Sequence, residues 1–134
     1  MLIANDLLDS ILEQARNNER LRMNYNFHSS PESKSQRLLN ALEKGTVIPI
    51  HRHKHTSETY ILLRGQLRVN FYENNGALVE SFDLDTEKGN FGIHIPEGQW
   101  HSLEVLSTNA VIFEVKDGPY QPLTGEDILF NKIL

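Results

Sequence analysis

Three histidines and a glutamate lie close together in one short stretch of the sequence, "HRHKHTSE" (51–58). Histidine is the commonest metal ligand in proteins, and its side chain titrates near neutral pH. Side chains two residues apart in an extended strand point to the same side, so His51 and His53 can bind one ion while Arg52 points away. Glu58 opens the next apolar run and can face His53 across a hairpin. The stretch therefore predicts a metal site, against the alternative of a polar, exposed loop.

A fourth ligand must come from elsewhere, and His101 is the candidate because it begins a strand directly after the turn "PEGQ". Three imidazoles and one carboxylate contain no soft sulfur, so Zn(II), Fe(II), Mn(II), Ni(II) and Co(II) all remain open. One divalent ion per protomer is expected, with coordination positions left for water or substrate. His55 is expected to be solvated in the turn, and Trp100 is expected to pack at the rim of the site.

The elements that must position these residues are mostly short β-strands. Apolar and polar residues alternate in runs separated by turn residues, which predicts an antiparallel barrel or sandwich. The pair Asn75-Gly76 predicts a type I′ hairpin turn, in which both residues have positive φ. Segment 36–45 is ambiguous between a helical turn and a strand. In the last strand, 110–116, we expect Val111, Phe113 and Val115 to face inward and Glu114 and Lys116 to face solvent.

A helix is predicted before the strands, capped by Asn5. It carries one apolar stripe, formed by Leu7, Leu8, Ile11, Leu12 and Ala15. At the other end of the chain, 126–134 is expected to form a short helix. We predict a single domain over 1–134, with a helical segment (1–21), a barrel (22–116) and a C-terminal extension (117–134).

The segment "RMNYNFH" (22–28) alternates three apolar residues with four polar ones, Arg22, Asn24, Asn26 and His28. The polar face is either the exposed outside of the barrel or the wall of a ligand pocket. Asparagine and histidine are poor choices for an exposed strand, which favours the pocket. Arg22 can bind a phosphate or carboxylate there, and the asparagines can bind sugar hydroxyls. His94 is a further pocket candidate, although a structural histidine is the simpler interpretation.

Composition excludes several classes of function. The chain has 13 basic and 18 acidic residues, a net charge of -5, and no basic cluster, which argues against nucleic-acid binding. It has no cysteine, which excludes disulfides, thiolate metal sites and cysteine nucleophiles. The N-terminus lacks the pattern of a signal peptide, and no apolar run is long enough to span a bilayer, so a cytoplasmic protein with no membrane partner is expected.

The histidine-rich stretch and the later turn together resemble the two cupin motifs. "GTVIPIHRHKHTSETYILLRG" resembles the first motif and "PEGQWH" the core of the second, through Gly45, His51, His53, Glu58, Gly65, Pro96, Gly98 and His101. Asn90 and Val105 depart from the second motif at positions that are not metal ligands in cupins. The order of these blocks resembles the WbuC family of cupin-fold metalloproteins, associated with bacterial O-antigen gene clusters. That family commonly has a Trp-containing C-terminus, from which this chain departs.

The resemblance implies a mainly β fold, a cupin jelly-roll (double-stranded β-helix) barrel with an N-terminal helix. It also implies a metal-dependent enzyme that acts on a nucleotide-linked or phosphorylated sugar in surface-polysaccharide biosynthesis, with the metal as Lewis acid. An Fe(II)-dependent cupin dioxygenase and a non-catalytic metal-dependent sugar-binding module are the alternatives. The sequence identifies no catalytic residue. A homodimer is expected, because cupins often pair through barrel faces and this chain has two apolar ends.

Overall fold

The computed structural model describes residues 1–129, which contain one α-helix followed by six β-strands. The elements are α1 (Asn5–Arg16), β1 (Arg22–Asn26), β2 (Ser35–Glu43), β3 (Glu58–Tyr72), β4 (Leu78–Leu84), β5 (Gly92–Ile95) and β6 (Trp100–Asp117). Every strand pair is antiparallel, in the order β1-β2-β6-β3-β4, and β5 also pairs with β3. The predicted class, antiparallel β with an N-terminal helix, is confirmed. No helix in this described part is long and apolar enough to cross a membrane.

Two apolar clusters lie on the two sides of the sheet. The inner cluster is formed by Leu42, Tyr60, Leu62, Leu67, Val69, Leu84, Ile95, Leu103, Val105, Ala110 and Ile112. The outer cluster joins the apolar stripe of α1 to Leu39, Ala41 and Val111. Part of the sheet is therefore apolar on both faces, because α1 covers the outside of β1, β2 and β6.

The apolar stripe of α1 is confirmed, since Leu8, Ile11, Leu12 and Ala15 are buried. The predicted cap is wrong. Ala4 occupies the N-cap position and makes no side-chain capping bond. The side chain of Asn5 instead accepts a hydrogen bond from Arg64 Nη2 at 2.7 Å, which connects α1 to β3.

The turn between β3 and β4 also differs from the prediction. Gly76 N donates to Glu73 O at 2.8 Å, so Asn74 and Asn75 are the central residues of the turn. Gly76 has a φ of 85°, whereas Asn75 is not in the positive-φ region. The loop is longer than a type I′ turn and needs the left-handed conformation only at its glycine. The ambiguous segment 36–45 is resolved as a strand, because β2 extends to Glu43.

The C-terminal segment turns back toward the histidine-rich stretch. Residues 125–127 form a single 3₁₀ turn, and Ile128 then pairs with His51 in an isolated β-bridge. Leu129 N donates to Ile50 O at 2.9 Å. The short helix predicted over 126–134 is therefore wrong for 126–129, and 130–134 lie outside the described residues.

Candidate metal centre

Backbone hydrogen bonds fix the histidine-rich segment against the start of β6. His51 and His53 lie in an extended segment between β2 and β3, and not in a regular strand as predicted. His51 N donates to His101 O at 3.0 Å, and His101 N donates to His51 O at 2.9 Å. Gly98 N donates to His53 O at 2.7 Å. These bonds place side chains from distant parts of the sequence next to one another.

The imidazole rings of His51, His53 and His101 converge. The ring of His51 lies 4.3 Å from that of His101 and 5.3 Å from that of His53, between centroids. One ring nitrogen of each lies within 4.8 Å of the other two, so the cluster can hold a metal ion. Glu58 reaches two of these histidines, with 3.1 Å from Oε1 to His53 Nε2 and 3.4 Å from Oε2 to His101 Nε2. The four residues predicted from the sequence are therefore brought together.

The hydrogen bonds of two histidines fix which nitrogen carries a proton. His51 Nδ1 lies 2.8 Å from Pro49 O, and His101 Nδ1 lies 2.9 Å from Gln99 O. A carbonyl only accepts, so each Nδ1 is protonated and each neutral ring presents a lone pair at Nε2. Backbone carbonyls orient metal-binding histidines in this way.

His101 Nε2 is buried and has no hydrogen-bond partner, although the carboxylate of Glu58 faces it. A nitrogen lone pair facing a carboxylate in a buried site is unfavourable unless a proton or a metal ion lies between them. A divalent ion bound by the imidazoles would remove this repulsion. The donor set thus fits a metal of the nitrogen- and oxygen-preferring class.

The protonation states of two predicted ligands also suit metal binding. Burial, helped by the neighbouring His101, lowers the pKa of His51 to about 3, so its ring is neutral at physiological pH. Burial alone would raise the pKa of Glu58. In the metal-free site, hydrogen bonds from the imidazoles of His101 and His53, made when Nε2 carries a proton, nevertheless hold the pKa of this carboxyl well below its usual value. A neutral imidazole and an ionised carboxylate are the forms that ligate metals.

The polar face of β1 lies on the same side of the sheet as the histidines. Arg22 lines a cavity of about 210 Å³ together with His51, His53 and Glu58. Asn24 and Asn26 of this strand, with His28 just beyond it, line a neighbouring open cavity of about 410 Å³. Both asparagines are exposed to solvent there. The apolar residues of β1 pack on the opposite side, under α1.

Three predicted residues lie away from these cavities or at their edge. His94 is exposed and pairs with Thr59, with 2.9 Å between Nδ1 and Oγ1, on the face opposite Glu58 and Tyr60. The structure therefore places His94 outside the histidine cavity. His55 is exposed, as expected for the turn. Trp100 is buried, and the guanidinium of Arg52 lies 4.5 Å from its ring, which agrees with a packing role.

The orientation predicted for Glu114 and Lys116 is wrong, since both line the two cavities. Glu114 is 7% exposed and accepts a hydrogen bond from Asn40 Nδ2 at 2.9 Å. Lys116 Nζ lies 3.7 Å from Glu58 Oε1. The reason is α1, which covers Val111 and turns the alternate residues of β6 inward. The apolar stripe of α1 was the sequence signal, because that stripe needed an apolar sheet face to pack against.

Burial and the charge of Glu58 raise the pKa of Glu114 to about 7. Tyr60, another residue that sequence reasoning did not select, donates its hydroxyl to Glu58 Oε2 at 2.8 Å. The site thus combines imidazoles, two carboxyl groups in different protonation environments and a lysine. Such separated carboxyl pKa values are common at sites of proton transfer.

Comparison with known proteins gives a family match and a fold. Residues 3–84 match DUF6016, a domain family of unknown function. No curated protein is significantly similar to the chain in sequence. The solved structure of CapF from Staphylococcus aureus, a capsular polysaccharide assembling protein, is similar with a TM-score of 0.65 and 20% identity. The similarity covers 78% of this chain and only 30% of that CapF chain.

Two further structures share the fold at lower identity. The cupin domain of Schizosaccharomyces pombe Cnp3 has a TM-score of 0.60 and 12% identity, covering 74% of this chain and 66% of that one. KdgF from Halomonas sp. has a TM-score of 0.58 and 14% identity, covering 75% of this chain and 80% of that one. These similarities confirm the predicted cupin fold.

Proposed function

We propose that this chain, which belongs to the DUF6016 family, is a metal-dependent cupin enzyme that acts on a carbohydrate-related small molecule. His51, His53, His101 and Glu58 hold one divalent ion. The observation that carries the proposal is the buried, unpartnered His101 Nε2 that faces a carboxylate. An ion at this position supplies Lewis acidity to a substrate oxygen or to water.

The polar lining of the neighbouring cavity supports a hydroxylated substrate. Asn24 and Asn26 each offer one acceptor and two donor positions, which suit sugar hydroxyls. The resemblance to the WbuC family and the fold shared with CapF support a nucleotide-linked or phosphorylated sugar of bacterial surface-polysaccharide biosynthesis. Because a shared fold does not assign a function, the substrate class depends chiefly on this lining.

Metal content tests the site directly. We expect about one ion per protomer in the native protein and the loss of most of it in His53→Ala and His101→Ala, because each variant removes an imidazole ligand. His55→Ala and His94→Ala are matched controls, since both side chains are exposed and should leave the metal content unchanged. Elemental analysis by mass spectrometry measures the ratio. A wild-type protein that binds none of the five candidate metals would contradict the proposal.

Turnover tests the enzymatic part. The metal-loaded protein should convert a member of a panel of sugar nucleotides and sugar phosphates, followed by NMR. Asn24→Ala should keep its metal and lose about 0.5–1.5 kcal/mol of ligand affinity for each hydrogen bond to the ligand removed, since Asn24 is exposed. Substrate-dependent oxygen uptake with Fe(II) would instead identify a dioxygenase, and binding without turnover would identify a sugar-binding module.

A further inference from the structure

Arg22 of β1 and Lys116 of β6 bring two positive charges to the histidine cavity. Lys116 approaches Glu58, as described above, whereas Arg22 pairs with no carboxylate within residues 1–129. Arg22 Nη1 donates to Val47 O at 2.9 Å and lies 3.4 Å from Thr46 Oγ1. Within the same residues, Nη2 and Nε of Arg22 donate no hydrogen bond to the protein.

The guanidinium of Arg22 is partly desolvated, and this desolvation lowers its pKa from the usual value. Holding a cation there without a counter-ion is costly. A guanidinium has a planar set of donors that matches a carboxylate or a phosphate, and it is charged at any physiological pH. Arg22 is therefore suited to an anion that enters the cavity.

The balance of charge in the cavity points the same way. Two cations, Arg22 and Lys116, face two carboxyl groups, Glu58 and Glu114, while the histidines that ligate a metal are neutral. A divalent ion among the imidazoles leaves two positive charges without a counter-charge, even when both carboxyl groups are ionised. This excess favours a bound anion.

We propose that Arg22 and Lys116, whose partners Leu42 and Gln36 lie six residues apart on β2, are two parts of one electropositive cavity beside the metal, which takes the carboxylate or phosphate group of the substrate. The proposal rests on the proposed function for the substrate, whereas the charges of Arg22 and Lys116 attract an anion without the metal and a bound ion adds to them. Lys116 also lines the asparagine cavity, so a ligand whose anionic group lies at Lys116 can extend its hydroxyl groups toward Asn24 and Asn26. The ligand class is a hydroxylated organic anion.

Calorimetric titration with inorganic phosphate and with acetate tests the subsite, in metal-loaded and in metal-free protein. In Arg22→Gln and in Lys116→Met we expect at least a tenfold loss of affinity for the anion that binds the wild type. Arg37→Gln and Lys88→Met are matched controls on exposed side chains away from the cavities, and their affinity should equal that of the wild type. Arg22→Lys should recover part of the loss, because it keeps the charge and loses the planar fork.

The outcomes separate the subsite from the metal site. Tighter binding of phosphate than of acetate identifies a phosphorylated ligand, and the reverse identifies a carboxylate. Unchanged affinity in Arg22→Gln, or a wild type that binds neither anion, overturns the subsite and leaves the metal measurement standing. If the wild type binds no metal, the proposed function fails, and the metal-free titration still decides the subsite. If Arg22→Gln does not fold, as judged by circular dichroism, Lys116→Met decides.

Discussion

Two carboxyl groups are buried near the histidines at positions where an apolar side chain would cost less. Glu58 and Glu114 are 2% and 7% exposed, and their pKa values move in opposite directions. Glu58 lies against the imidazoles of His53 and His101, which favour its charged form when they carry a proton or a metal ion on Nε2. Glu114 has a neutral amide, Asn40, as its hydrogen-bond partner, and the nearby charge of Glu58 disfavours its ionisation. One carboxyl group is thus prepared to hold a cation and the other to carry a proton near neutral pH.

The raised pKa of Glu114 predicts a pH-dependent stability. The folded protein retains this proton up to about pH 7, whereas the unfolded chain releases it near 4.5, so stability falls as the pH rises between these values. Glu114→Gln should remove this loss of stability, because glutamine does not ionise. Relative to the wild type, the variant should gain about 1–3 kcal/mol between pH 5 and pH 8. Urea denaturation of the metal-free protein measures this difference.

The exposed Glu97 supplies the control for this measurement. Glu97→Gln should follow the wild-type dependence of stability on pH. If the stability of Glu114→Gln also runs parallel to that of the wild type from pH 5 to pH 8, then Glu114 does not hold its proton in the folded protein.

At the scale of elements, β3 bends at Gly65, where its register with β6 shifts. Gly65 has a φ of +87°, and a Cβ built there would lie 2.1 Å from Asn109 O and 2.9 Å from Ala110 Cα. Both are backbone atoms of the neighbouring strand, so neither can move away without disturbing the sheet. Gly65→Ala should therefore cost about 3 kcal/mol or more in the free energy of unfolding.

A substitution at Gly98 measures the cost of the left-handed backbone conformation without the steric clash expected at Gly65. Its φ is +79°, yet nothing lies within 4 Å of a Cβ added there. Gly98→Ala should cost only the penalty of a left-handed conformation, about 1–2 kcal/mol. Equal losses in the two variants, measured by urea denaturation, would show that the close approach at Gly65 carries no extra cost.

The strands β1 and β6 show which structural features the sequence predicts and which it does not. The alternation of apolar and polar residues identifies which side chains share a face of a strand. It correctly grouped Arg22, Asn24 and Asn26 on one face of β1, and Glu114 and Lys116 on one face of β6. It does not say which face is inside. The usual rule puts the apolar face inward, but here α1 packs against the apolar residues and leaves the polar ones to line the cavities. The position of α1 on the sheet is a tertiary property that no local pattern contains.

The cluster of His51, His53, Glu58 and His101 was predictable because the first three are close in sequence and the motif that adds His101 is specific. The residues that contact this cluster were not predictable from the sequence. Asn40, Tyr60 and Glu114 come from three different strands, and they meet only because antiparallel pairing aligns β2, β6 and β3. The same holds for the contact between Ile128 and His51, which depends on the path of the C-terminal segment.

On the scale of the whole molecule, the proposed ligands come from the segment before β3, from β3 and from β6, so a bound ion would cross-link parts of the chain that are distant in sequence. The unfolded chain does not hold these side chains together, and a metal that binds the folded state alone must stabilise it. At a free metal concentration about 100-fold above the dissociation constant, this gain is about 2.7 kcal/mol. For a chain of this length, it corresponds to a rise in Tm on the order of 10 °C.

Thermal unfolding with and without metal measures that rise. The pH dependence of the Tm of the metal-free protein gives a second measurement. In the metal-free protein, His51 is neutral when folded, with a pKa of about 3, and protonates near pH 6.5 when unfolded. This group therefore contributes stability above pH 6.5 that is lost as the pH falls toward 3.

His101→Ala should abolish the metal-dependent rise in Tm, and His94→Ala should preserve it. A rise of the same size in His101→Ala would place the stabilising ion elsewhere on the protein.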